Sequence, residues 1–133
     1  MKKFIIALFT LLLFQNCCLS AEWIEINSKT YIDKETYIPS GKDNNYPSFW
    51  IKQLNNKSNY FIKQEKEYKT SIWYELQQWQ LDCKRRKYDI KELIIYDVKG
   101  SIIDSYSNNT PNWFTIPPDT ISESYYNVFC KYY

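Results

Sequence analysis

Beyond residue 21 the chain alternates polar and apolar positions in short runs, the period of half-buried strands. Residues 22–26 set Ile24 and Ile26 on one face, Asn27, Ser28 and Lys29 make a turn, and residues 30–33 return as the second arm of a hairpin. Residues 34–45 pass through Pro39, Ser40, Gly41 and Asn45 and read as a loop. A third strand spans 46–54, with Phe49, Ile51 and Gln53 alternating against Trp50, Lys52 and Leu54. The segment 60–69 is polar and charged and is expected to lie at the surface, as an insertion between strands. The longest run, 72–83, puts Trp73, Glu75, Gln77, Trp79, Leu81 and Cys83 on one face and Ile72, Tyr74, Leu76, Gln78, Gln80 and Asp82 on the other. The Cys83 end of the first face is apolar and suits burial. Fair helical propensity around Glu75, Leu76 and Gln77 makes a helix over 74–81 the competing assignment.

Residues 84–87 follow as a turn or strand end, and 88–97 form another strand, nearly all apolar through Leu93, Ile94, Ile95 and Tyr96. Residues 98–101 are a hairpin turn in which Gly100 supplies a positive φ, and 102–106 are the return strand. A loop at 108–112 leads to a short last strand, 113–116, which Pro117 and Pro118 stop because proline cannot donate to a ladder. Thr120 and Glu123 match a capping box and predict a helix over 121–130. Ile121, Tyr125, Val128 and Phe129 share one side of it, a stripe suited to covering the sheet. The fold class is therefore α+β: an antiparallel sheet of about six strands with a C-terminal helix packed on it.

The residues before this pattern carry a different signal. Lys2 and Lys3 precede an apolar run over 4–14 broken only by Thr10, and Ser20 and Ala21 are small. That is the layout of a secretory signal peptide over 1–21, leaving one domain over 22–133. The run is short for a bilayer span, and no second apolar segment supports a retained anchor, so no stable membrane span is expected after cleavage. Cys17 and Cys18 raise the alternative of a lipoprotein, but Phe14, Gln15 and Asn16 stand where a lipobox has leucine and small residues. The expected location is outside the cytoplasm: periplasm, outer surface or secreted.

Charge and composition narrow the function further. The whole chain has 17 basic and 15 acidic residues, and loss of Lys2 and Lys3 with the leader makes it neutral, which disfavours nucleic acid as a partner. Aromatic residues make up 19% of the chain, with 13 Tyr and 5 Trp, which favours sheet and supplies the residue types that dominate binding hot spots. There is no histidine, so the commonest general base and transition-metal ligand is missing, and no cofactor or metal is expected. Only Gly41 and Gly100 follow the leader, too few for a phosphate-binding loop. Carboxylates such as Glu22, Glu25, Asp33, Asp82, Asp97, Asp104 and Asp119 are scattered; spacing alone leaves paired-carboxylate chemistry open, and solvated surface acids are the plainer reading.

Two features remain as candidate sites. Cys83 and Cys130 are an even pair in an exported domain, and such cysteines usually form a structural disulfide. Their distance in sequence and the lack of a Cys-x-x-Cys motif argue against redox chemistry. The run Lys84, Arg85, Arg86 and Lys87 is the strongest local charge and a candidate contact for sulfated glycan, acidic protein or lipid phosphate, although Asp82 and Asp89 flank it and a solvated strand end carries the same pattern.

The order of Glu22, Trp23 and Ile24, then Tyr31, Ile32 and Asp33, then Leu81, Asp82 and Cys83 with basic residues, then Gly100, Trp113, Pro117, Pro118 and Asp119, and finally Val128, Phe129 and Cys130 resembles the bacterial surface-adhesin protein E family. The resemblance covers essentially all of the domain. It implies a sheet with a disulfide-tethered C-terminal helix, in an envelope or surface protein of Gram-negative bacteria, and transfers Cys83 and Cys130 alone as matching residues. It also implies attachment to host matrix proteins such as laminin and vitronectin. The expected function is an exported, non-enzymatic binding protein with a protein partner, host extracellular-matrix protein being the named one. The alternative is a soluble periplasmic or secreted inhibitor, or an envelope scaffold, that binds another protein.

Overall fold

The computed structural model describes residues 21–33 and 46–130. Residues 1–20, with Cys17 and Cys18, and residues 34–45 and 131–133 lie outside the described residues. The elements are β1 (Trp23–Asn27), β2 (Thr30–Asp33), β3 (Ser48–Leu54), α1 (Asn59–Tyr68), β4 (Ile72–Asp82), β5 (Lys87–Asp97), β6 (Ile102–Ser107), β7 (Phe114–Thr115) and α2 (Ile121–Phe129). Six strands form an antiparallel meander in the order β1-β2-β3-β4-β5-β6, and β7 pairs with the start of β5. The expected antiparallel sheet with a C-terminal helix is thus present, and 74–81 is strand.

Residues directly opposite on neighbouring strands share a face of the sheet. The register places Thr30 opposite Gln53 and Glu75, Ile32 opposite Ile51 and Gln77, and Phe49 opposite Trp79. On β5 the same rows continue as Ile95, Leu93 and Ile90. Both helices cover this face. At one end, Phe49, Ile51, Trp79, Leu81 and Ile116 bury against Tyr125 and Phe129 of α2. At the other, Phe61 of α1 buries against Ile72 and Ile95.

The disulfide joins Cys83, at the end of β4, to Cys130, at the end of α2, with a Cα–Cα distance of 5.4 Å. Phe129 stacks on Phe49 at 3.9 Å between ring centres, and the Tyr126 hydroxyl donates to the Cys83 carbonyl at 3.0 Å. These ties fix the rotation of α2. The buried side is therefore Ser122, Tyr125 and Phe129, whereas Ile121 and Val128, expected in the covering stripe, are 46% and 62% exposed. The N-cap is Thr120, whose hydroxyl accepts from the Glu123 amide; the Glu123 carboxylate reaches back one residue further than a standard capping box, to the Asp119 amide at 2.8 Å.

Two expectations need correction. Residues 60–69 do lie at the surface between β3 and β4, but they form the body of α1 (Asn59–Tyr68), and one residue of it, Phe61, is buried at 1% exposure. The stripe that docks it is narrow, Phe61 and Tyr68 standing two turns apart among charged residues, so periodicity gave no helical signal. Glu65 fastens the same helix by accepting from the Ile72 amide at 3.1 Å and from the Asn55 side chain at 3.0 Å. The second correction concerns Trp73. A register shift between Ile72 and Tyr74 turns Ile72 into the helix-covered core and moves Trp73 to the opposite face, where it is 49% exposed.

Candidate binding site

Among the described residues no helix covers the second face of the sheet. Its rows contain Trp50 opposite Gln78, Lys52 between Tyr31 and Leu76, and Leu54 opposite Tyr74, with Tyr74 opposite Tyr96. The Lys52 ammonium lies 4.4 Å from the centre of the Tyr74 ring and 5.9 Å from those of Trp23 and Trp73. Tyr74 stacks on Tyr96 at 4.6 Å and meets Trp73 edge to face at 5.1 Å. Burial of its hydroxyl and the neighbouring Tyr96 push the Tyr74 phenol above its ordinary pKa, so it stays a neutral donor. Three strands thus present a rigid, half-exposed aromatic platform around one cation.

The basic run 84–87 forms the turn between β4 and β5 and enters the first residue of β5. Two of its members are occupied within the fold. Arg85 pairs with Asp82, which raises the guanidinium pKa first through that hydrogen bond, and its charge lies 5.8 Å from the Trp113 ring centre. Arg86 pairs with Glu123 of α2 and covers the Tyr126 ring at 5.0 Å. Lys84 is exposed and Lys87 half-buried. The turn therefore fastens α2 to the sheet alongside the disulfide, and Lys84 is its outward charge.

On the helix-covered face, a groove of about 380 Å³ opens between the start of α1 and Trp79, whose ring supports Tyr125 of α2. Glu75 lies in its floor and is 2% exposed. Its carboxylate accepts from the Tyr60 hydroxyl at 2.9 Å and from the Gln77 amide at 2.7 Å, and Gln77 in turn accepts from the Trp79 indole at 2.7 Å. Burial raises the Glu75 pKa, opposed by those two hydrogen bonds. Burial likewise raises the Tyr60 phenol, with the Glu75 charge adding to it.

The chain matches the model of the surface-adhesin protein E family over residues 23–131. It belongs to that family. No curated protein and no solved structure matches it. Membership in a surface-adhesin family makes this an exported protein that binds another molecule. Among the described residues, no helix is long and apolar enough to cross a membrane, and no cluster of three or more His, Cys, Asp or Glu is arranged to hold a metal.

Sequence reasoning located the two cysteines of this adhesin-family domain, and the structure bonds them. Alternation set Trp73 with Glu75 and Trp79, whereas the register shift moves it to the face where Tyr74 and Lys52 lie. Glu75 was passed over among the carboxylates. The signal was in the alternation: Glu75 falls on the same face of β4 as Trp79 and Leu81, so an acid on the buried face was foreseeable.

Proposed function

We propose that this surface-adhesin protein E family member is a non-enzymatic attachment protein of a Gram-negative envelope that holds a host or matrix protein on the open face of its sheet. The observation behind the reading is the aromatic platform of Trp23, Trp73, Tyr74 and Tyr96 around Lys52, uncovered by either helix. Tyrosine and tryptophan offer large contact area with few rotatable bonds, and a half-exposed ring loses little hydration before it is buried by a partner. The lysine supplies a point charge held in place by the rings, able to select an acidic group on the partner. In this reading the basic turn contributes a rim contact through Lys84, with Arg85 and Arg86 retained by their ion pairs.

The test is binding of the purified domain to immobilised laminin and vitronectin, with whole-cell protease shaving to establish surface display. Trp73→Ser removes a half-exposed ring without opening the core, and is expected to weaken binding by about 2 kcal/mol, roughly thirtyfold. Unchanged binding by Trp73→Ser and by Lys52→Ala would remove the platform from the mechanism. Protection from shaving would favour the periplasmic scaffold or inhibitor instead.

A further inference from the structure

We propose that the groove floored by Glu75 binds a primary ammonium group carried on an apolar stem. It lies on the helix-covered face, opposite the aromatic platform, so the inference stands apart from the attachment reading. The volume, about 380 Å³, falls in the ordinary range of roughly 300–1,000 Å³ for small-ligand sites. Its walls are chiefly apolar, with Trp79, Ile90 and Leu93 on one side, and its polar atoms converge at one end. That is the shape of a site for an amphiphile with a single charged head.

The sign of the charge follows from what surrounds Glu75. Its two oxygens accept from Tyr60 and Gln77, both neutral donors, and among the described residues no lysine or arginine reaches it. The neighbours packed against it are Tyr60 from α1, Gln53 from β3 and Ile95 from β5; of these only Tyr60 titrates, and its pKa is raised, so it brings no positive charge. A buried carboxylate with no cation costs stability. The raised pKa records that cost. Replacement by an apolar or amide residue would relieve it, and a desolvated acid facing a cavity is a candidate functional position. Each carboxylate oxygen accepts one hydrogen bond here and has capacity for a second, which an ammonium with three donors can supply. A guanidinium wants both oxygens free in one plane, and Tyr60 and Gln77 already hold one site on each. The geometry therefore favours ammonium over guanidinium.

The ammonium has two sources, a free alkylamine or a lysine side chain of a protein. Both are tested on the full exported domain by nitrogen-resolved NMR, with n-pentylammonium and Nα-acetyl-lysine amide as probes. The site-specific reporters are the Gln77 side-chain amide and the Trp79 indole N–H. The expected result is saturable movement of both signals with a Kd of about 1 mM or tighter for at least one probe. Glu75→Gln, which keeps the acceptor for Tyr60, is expected to weaken binding by about tenfold or more, and the neutral n-pentanol to bind at least that much more weakly. Tyr60→Phe keeps the wall and frees one oxygen, so binding is expected to be retained or tightened. Preference for the lysine derivative identifies a protein side chain as the occupant, and equal or better binding of n-pentylammonium identifies the free amine. Equal binding by Glu75→Gln, equal binding of n-pentanol, weaker binding by Tyr60→Phe, or failure of both probes to move the two reporters would overturn the proposal.

Discussion

Removal of the crosslink is the sharpest test of how this fold is held. The perturbation is Cys83→Ala with Cys130→Ala, both sulfurs being buried at the junction of β4 and α2. The two positions are 47 residues apart. For a closed loop of that length, the chain-entropy model gives about 4 kcal/mol at 25 °C, an upper figure because residual structure in the unfolded chain reduces it. A loss of roughly 2–4 kcal/mol is expected, a large part of the ~5–15 kcal/mol that holds a typical domain. With a urea m-value of about 1–3 kcal/mol per molar, the unfolding midpoint falls by roughly 0.7–4 M. The mechanism adds a second readout. An uncrosslinked chain exposes more surface when unfolded, so m should rise as the midpoint falls. Urea unfolding followed by tryptophan fluorescence reads both. A midpoint within about 0.3 M of the parent, or a fall with no rise in m, would refute the account, since the first denies the crosslink its weight and the second puts that weight in the native state.

Two further outcomes follow from the packing. Phe61→Ala empties the small core beneath α1 and is expected to cost about 3–5 kcal/mol; because a ten-residue helix is marginal alone, amide exchange should speed first in Asn59–Tyr68 and last in the strands under α2. Glu75 has a folded-state pKa above its unfolded value, so the native state binds its proton more readily and the parent gains stability as pH falls from that raised value to the ordinary one near 4.3. Glu75→Gln should therefore be the more stable protein at about pH 7, with an advantage that shrinks toward about pH 4.5; urea midpoints at the two pH values check it, and a constant difference would contradict the assignment.

The meander was legible because each strand carries an alternating run and each turn its own punctuation, such as Gly100 with φ of 82° between β5 and β6. The C-terminal helix was legible through Thr120 and Glu123, though its rotation was not. The stripe drawn by periodicity placed Tyr125 and Phe129 correctly against the core, but the Cys83–Cys130 bond and the Tyr126 hydroxyl turn Ser122 inward and leave Ile121 and Val128 exposed. Helix α1 was hidden because one phenylalanine does most of its anchoring and its other ties are polar. The platform around Lys52 was hidden for a different reason: a one-residue slip in register exchanges faces, and nothing local to Ile72, Trp73 and Tyr74 announces it. Glu75 was on the face that alternation predicts, but its enclosure was hidden, since its partner Tyr60 lies on the helix that periodicity did not reveal.

An attachment protein works under tension, and the covalent bridge changes what tension can do to this one. Force entering before β4 and leaving after α2 travels through the sulfur pair rather than through the intervening strands. The 47-residue excursion between the bridged positions, which would otherwise pay out about 160 Å of slack at ~3.4 Å per residue, is shunted out of the pulling path. Stretching can then lengthen the molecule only through the segments outside the bridge, and β5, β6, β7 and α2 carry no load along the chain.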